Sequence, residues 1–150
     1  MPISPFLWFD TQAEEAAQLY ASIFPNSRFT PGARNADGSV LTVAFELDGQ
    51  KFVALNGGPA HANFTEAISF VVTCETQEEV DRYWAALTAD GGEEGRCGWL
   101  KDRFGLSWQI VPRVLPELLT QPDADKAQRV TAAMLEMRKL DIAALEAAAE

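Results

Sequence analysis

The sequence predicts an α+β fold of two tandem strand–helix–three-strand modules followed by a helical extension, and three observations predict it. Two stretches of the chain repeat the same order of elements, each with a T-x-x-E motif, at an offset of about 65 positions. The extended segments alternate apolar and polar residues. From Pro112 onward the pattern turns helical.

In the first module "SPFLWF" is short, aromatic and extended. "DTQAEEAAQLYASIF" follows as a helix, with Thr11 and Glu14 spaced as a capping box and Ala13, Ala16, Ala17, Tyr20 and Ile23 on one face. Three extended segments come next: "RFT", "SVLTVAFEL" with Leu41, Val43, Phe45 and Leu47 alternating, and "KFVALN". The Asp48-Gly49 pair between the last two predicts a tight hairpin, because both residue types accept positive φ.

The second module repeats the order. "EAISFVV" reads as a strand, then "ETQEEVDRYWAALTADGG" as a helix with a second box at Thr76 and Glu79, a stripe of Val80, Tyr83, Trp84 and Leu87, and Gly91-Gly92 as its stop. Strands follow around Glu93, at "GWLKD" and at "LSWQIV". The overlay matches Thr11-Gln12 to Thr76-Gln77, Glu14-Glu15 to Glu78-Glu79 and Tyr20 to Trp84. In the last strand Leu106, Trp108 and Ile110 share one face, while Ser107, Gln109 and Val111 share the other. A buried amide without partners costs on the order of 1 to 3 kcal/mol, so Gln109 should meet a partner or line a wet cavity.

The extension, with Asp123 and Asp141 as helix N-caps, carries a narrow stripe of Ala127, Val130, Met134 and Met137. That stripe needs a surface, on its own domain or on a second subunit. The expected organisation is one domain over residues 1–150: module 1 at 1–62, module 2 at 63–112 and helices at 113–150.

Twelve basic against 22 acidic residues give a formal charge of −10, which repels phosphate backbones and anionic headgroups and argues against nucleic-acid and membrane partners. The amino terminus shows no basic region before its apolar run, and no window approaches the roughly 20 apolar residues of a spanning helix, so a soluble cytoplasmic protein is expected. Cys74 and Cys97 lack metal-type spacing and a nearby histidine, and read as reduced, non-catalytic thiols.

"LWFDTQAEEAAQLYASIFPNS", "ALNGGP", "TEAISFVV", "CGWLKDRFGLSWQIVP" and the tail together resemble the PhnB-like family, labelled 3-demethylubiquinone-9 3-methyltransferase, of the vicinal oxygen chelate (glyoxalase/bleomycin resistance/dioxygenase) superfamily. The resemblance implies a cup of eight strands with helices outside, a ligand inside and, as a rule, a homodimer. Metal-dependent members hold their ion through His and Glu on the first, fourth, fifth and last strands, the last after a D-P-D-G-N-x-x-E pattern. Set against Asp102 to Gln109, that pattern places Gln109 at the metal-binding glutamate and turns it into the cup.

An amide is a poor ligand for a hard or borderline cation. The first strand offers neither His nor carboxylate before Asp10, the fifth-strand position falls near Ala67 or Ser69, the fourth strand ends in Asn56, and the one histidine, His61, lies in a connecting loop. The expectation is therefore no metal site and no cofactor. The methyltransferase label finds no support either, because neither Gly57-Gly58 nor Gly91-Gly92 follows a first parallel strand as a nucleoside cradle would.

The expected ligand-binding residues are Trp8, Asn56, Ser69 and Gln109, although Asn56-Gly57 is also a turn signal. Ser69 shares a small, polar strand face with Ala67 and Val71, opposite an apolar face of Ile68, Phe70 and Val72 that suits packing beneath a helix. Asp102 is expected to cap the turn ahead of Gly105, and the catalytic residues are unknown. The leading function is the binding of a small organic molecule in a metal-free cup. The alternatives are a superfamily enzyme (lyase, isomerase or oxygenase) with an atypical metal site or metal-free acid–base chemistry, and a dimeric assembly module.

Overall fold

The fold comes from a computed structural model that describes residues 3–61 and 63–150. It has two compact units, Met1–Ala62 and Asn63–Glu150. In the first, β1 (Phe6–Phe9), α1 (Ala13–Ile23), β2 (Arg28–Pro31), β3 (Thr42–Leu47) and β4 (Gln50–Asn56) form a four-stranded sheet in the order β1-β4-β3-β2. The β1–β4 pair is parallel and the other pairs antiparallel.

Alternation decides which face is buried. Leu7, Phe9, Val43, Phe45, Leu47, Phe52 and Ala54 are buried together with Ala13, Ala16, Ala17 and Tyr20 of α1, and the Tyr20 and Phe45 rings lie 6.0 Å apart. The other face carries the exposed Phe6 and the part-exposed Trp8. Positive φ at both Asp48 and Gly49 makes the predicted hairpin turn.

The Thr11–Glu14 box does not form. Residue Gln12 precedes α1 without a side-chain cap, and the backbone N–H of Ala13 is taken instead by Asn56 Oδ1 at 2.8 Å. The second box does cap its helix: Thr76 Oγ1 accepts from Glu79 N–H at 3.2 Å, and Glu79 Oε2 accepts from Glu75 N–H at 3.0 Å.

The second unit repeats the topology with β5 (Phe70–Cys74), α2 (Gln77–Thr88), β6 (Glu93–Glu94), β7 (Trp99–Lys101) and β8 (Ser107–Pro112), ordered β5-β8-β7-β6 with β5–β8 parallel. Val80, Tyr83, Trp84 and Leu87 of α2 are buried, as are Leu100, Leu106, Trp108 and Ile110. The fifth strand starts later than its sequence pattern predicts. Residues Glu66 to Ile68 bend back on Thr65, whose Oγ1 accepts from Ala67 N–H at 3.2 Å, and Ile68 is left exposed rather than packed beneath a helix.

Three helices complete this unit: α3 (Val114–Leu119), α4 (Ala124–Leu135) and α5 (Ile142–Ala148), the last two capped by Asp123 and Asp141. Leu115, Val130, Leu140 and Leu145 form a buried cluster, with Met134, Met137 and Val111 packed against it. Both ends of the Gln77 amide hold the tail, Nε2 donating to Leu140 O at 3.0 Å and Oε1 accepting from Ile142 N–H at 2.8 Å. Cys97 N–H and Gly98 N–H donate to Met137 O and Arg138 O, and Leu140 Cδ1 comes so close to Gly98 that a side chain there would collide with it. The apolar stripe of the extension thus finds its surface within its own unit.

Candidate functional site

Asp102 sets the frame of the site. Its Oδ1 accepts from the backbone N–H groups of Phe104 (2.9 Å) and Leu106 (3.1 Å), while Oδ2 accepts from the Trp108 indole N–H at 2.9 Å. The buried carboxylate thereby ties the β7–β8 turn, in which Gly105 takes a φ of +88°, to the core face of β8. With Trp108 turned inward, strand alternation turns Gln109 to the opposite face.

On that face, away from α2, Gln109 stands in register between Val71 of β5 and Trp99 of β7. Val71 is exposed, while Gln109 and Trp99 are half-buried. Gln109 Nε2 donates to Ser69 Oγ at 2.9 Å, so two of the expected ligand-binding residues meet directly. The next row of the same face holds Glu93, Lys101 and Ser107, paired Glu93↔Lys101 and Lys101↔Ser107. Lys101 Nζ lies 2.6 Å from Glu66 Oε1. That contact holds the Glu66 carboxyl below the ordinary glutamate range and raises the Lys101 ammonium above the ordinary lysine value.

The other two expected residues lie in the first unit. Trp8 is 38 % exposed, donates from its indole to Gly58 O at 2.9 Å, and meets the ring of His61 edge-on at 4.4 Å. Gly57 is the floor beneath it, since a Cβ there would stand 2.3 Å from the indole carbons. Asn56 spends its amide within the fold: besides accepting from Ala13, it donates from Nδ2 to Val40 O at 3.2 Å. Its part is to join α1, β4 and the loop that leads into β3.

Sequence reasoning placed Ser107 on the Gln109 face but not Trp99 or Lys101, because only the strand pairing brings those two to it. It also missed His61 against Trp8, a loop contact with no periodic signal. Lys101 and Trp99, two apart in β7, were the available hint.

Gln109 and Ser69, at or near two of the positions that the resemblance assigns to metal ligands, are a neutral amide and a hydroxyl bonded to each other. Such a donor set does not fit a hard or borderline divalent ion. Among the described residues no group of three or more His, Cys, Asp or Glu is gathered for a metal. A methyl-donor nucleoside fits no better at the glycine pairs, since the Cβ space of Gly57 is filled by Trp8 and that of Gly92 by the backbone of Leu87 and Thr88. Cys74 is buried, and burial with the nearby Glu79 charge pushes its thiol up to about 12. No described helix is long and apolar enough to cross a membrane.

Two four-stranded sheets of identical strand order, each backed by a helix, are shared with solved structures. A PhnB protein from Bacillus cereus, described as a 3-demethylubiquinone-9 3-methyltransferase, is 33% identical over 75% of this chain and 99% of its own, with a TM-score of 0.69. Protein PA1353 from Pseudomonas aeruginosa shares the fold at 18% identity and a TM-score of 0.61, covering 75% of this chain and 97% of its own. The fosfomycin resistance protein FosX from Listeria monocytogenes, solved with Mn(II) and sulfate, shares it at 19% identity and a TM-score of 0.53, covering 73% and 89%. No curated protein sequence matches the chain. The family model described as 3-demethylubiquinone-9 3-methyltransferase matches residues 1–111, and the chain belongs to that family.

Proposed function

We propose that this protein binds a small organic molecule on the face of its second sheet that carries Gln109, Ser69 and Trp99, and does so without a divalent ion. The observation that supports the reading is the Gln109–Ser69 hydrogen bond at 2.9 Å, beside the exposed Val71. An amide that donates to a serine keeps its carbonyl oxygen for a ligand donor, and the serine keeps its own proton to give. Exposed aliphatic and half-buried aromatic carbons around two orientable polar groups are what small-molecule sites use. Trp8, over Gly57, offers a second aromatic surface in the first unit, with Asn56 holding the strand and helix that present it.

Binding is the activity assigned, and the acid and base nearest Gln109, Glu66 and Lys101, are engaged with each other at 2.6 Å. The reading is of a cytoplasmic protein, in keeping with two free cysteines. It is also of a homodimer, by likeness to the superfamily. Within one chain the tail stripe already packs on its own unit, with Val130 buried and Met134 and Met137 partly buried. Native mass spectrometry of freshly purified protein tests the central reading. A co-purifying organic mass that is retained by the parent chain and lost from Gln109→Leu is the expected result. A divalent ion retained in stoichiometric amount would refute it.

A further inference from the structure

Beside Gln109, the row of Glu93, Lys101 and Ser107 opens on a cavity of about 490 Å³, lined also by Glu66, Arg96 and Trp99. Ser107 is the informative residue. It is fully buried, at 0 % exposure, and its Oγ has no hydrogen-bond partner among the described residues. Strand alternation and its pairing with Lys101 put it on the cavity side of β8, opposite Trp108. A buried hydroxyl is rarely left unpaired in a folded protein, and one that lines a cavity finds its partner in what the cavity holds.

We infer that this cavity takes a neutral, hydroxyl-rich organic molecule, a sugar or a sugar-like polyol. The inference rests on the reading of this sheet face as a ligand site and adds the chemical class.

Charge is the first argument. Glu66 and Lys101 are in contact at 2.6 Å, Glu93 stands opposite Lys101, and Arg96 adds a second positive group. Glu94 is engaged by the Trp84 indole N–H at 2.6 Å. A carboxylate ligand would meet Glu66 and Glu93 as well as Lys101, an amine would meet Lys101 and Arg96 as well as the glutamates, and neither could satisfy one sign without facing the other. Hydroxyl groups both donate and accept, so they match carboxylate, ammonium and the free Ser107 Oγ alike. Trp99 provides the flat carbon surface against which the C–H face of a ring packs.

The full-length ¹⁵N-labelled chain is titrated with methyl β-glucoside, and separately with butylamine and with butyrate, while the Trp99 indole and the Ser107 and Lys101 amides are followed by NMR. The glucoside is expected to shift all three saturably, and Ser107→Ala is expected to weaken its apparent affinity by about threefold to tenfold, the range of one hydrogen bond. The charged probes are expected to bind at least tenfold more weakly. A silent glucoside with butylamine or butyrate moving the same resonances would overturn the chemical class and leave the face as a ligand site. Silence from all three would overturn the cavity as a site. Glucoside affinity unchanged by Ser107→Ala would remove Ser107 from it and overturn the inference.

Discussion

Gln109 and Ser69 are 40 positions apart, yet their side chains meet at 2.9 Å, Ser69 standing just ahead of β5, which pairs in parallel with β8. That contact defines the candidate site, and its energetics are those of a surface rather than a core. Gln109 is half-buried, so Gln109→Leu leaves Ser69 Oγ within reach of water. The expected cost is under about 1 kcal/mol, read from the midpoint of urea unfolding, while ligand retention is lost. A loss several times larger would make Gln109 a core element and displace the site.

Asp102 stands at the other extreme. Asp102→Ala strips three donors of their acceptor at once, among them the buried Trp108 indole. The expected destabilisation is about 3 kcal/mol or more, accompanied by a shift in tryptophan fluorescence, because unpaired buried donors carry their full desolvation penalty. Asp102→Asn is expected to recover only part, since an amide offers a single acceptor oxygen.

Gly57→Ala tests the Trp8 platform. The added methyl would stand 2.3 Å from the indole, with no positive φ to complicate the change. Trp8 must swing away and give up its bond to Gly58 O, at a cost of about 1 to 3 kcal/mol. The expected readout is a more exposed, red-shifted Trp8 emission, measured in a background where the other tryptophans are replaced by phenylalanine.

Much of this was legible in the sequence because it follows from local chemistry. The duplicated order of elements, the Asp48-Gly49 hairpin, the α2 stripe from Val80 to Leu87 and the Asp102 turn each depend on residues close in the chain. What was not legible depends on pairing at long range. Asn56 displaces Thr11 at the start of α1 through a contact 43 residues away. Trp99 and Lys101 join the Gln109 face only through strand register. The tail could have served a partner by pattern alone, and its docking on Gln77 and Gly98 is a tertiary fact.

Cys74 gives the chain an alkaline limit. Its folded value of about 12 lies above the ordinary 9.0, so the unfolded state loses its proton first as pH rises. The stability held by the neutral thiol is therefore complete below about pH 9 and declines between 9 and 12, by at most about 1.4 kcal/mol per pH unit. Unfolding measured from pH 8 to 11 is expected to show this decline in the parent and a shallower one in Cys74→Ala. Native protein at pH 8 is expected to leave Cys74 unmodified by thiol reagents.

The central claim is that a neutral amide–hydroxyl pair has taken the place of metal ligands at an organic binding site. Its most direct test is elemental analysis of protein purified without chelator, run on the parent chain and on Gln109→Leu and Gln109→Glu. The account predicts divalent metal far below one equivalent in the first two and weak, readily dialysed binding in Gln109→Glu, because one carboxylate is too few donors to close a site. One tightly held divalent ion per parent chain, lost in Gln109→Leu, would contradict it.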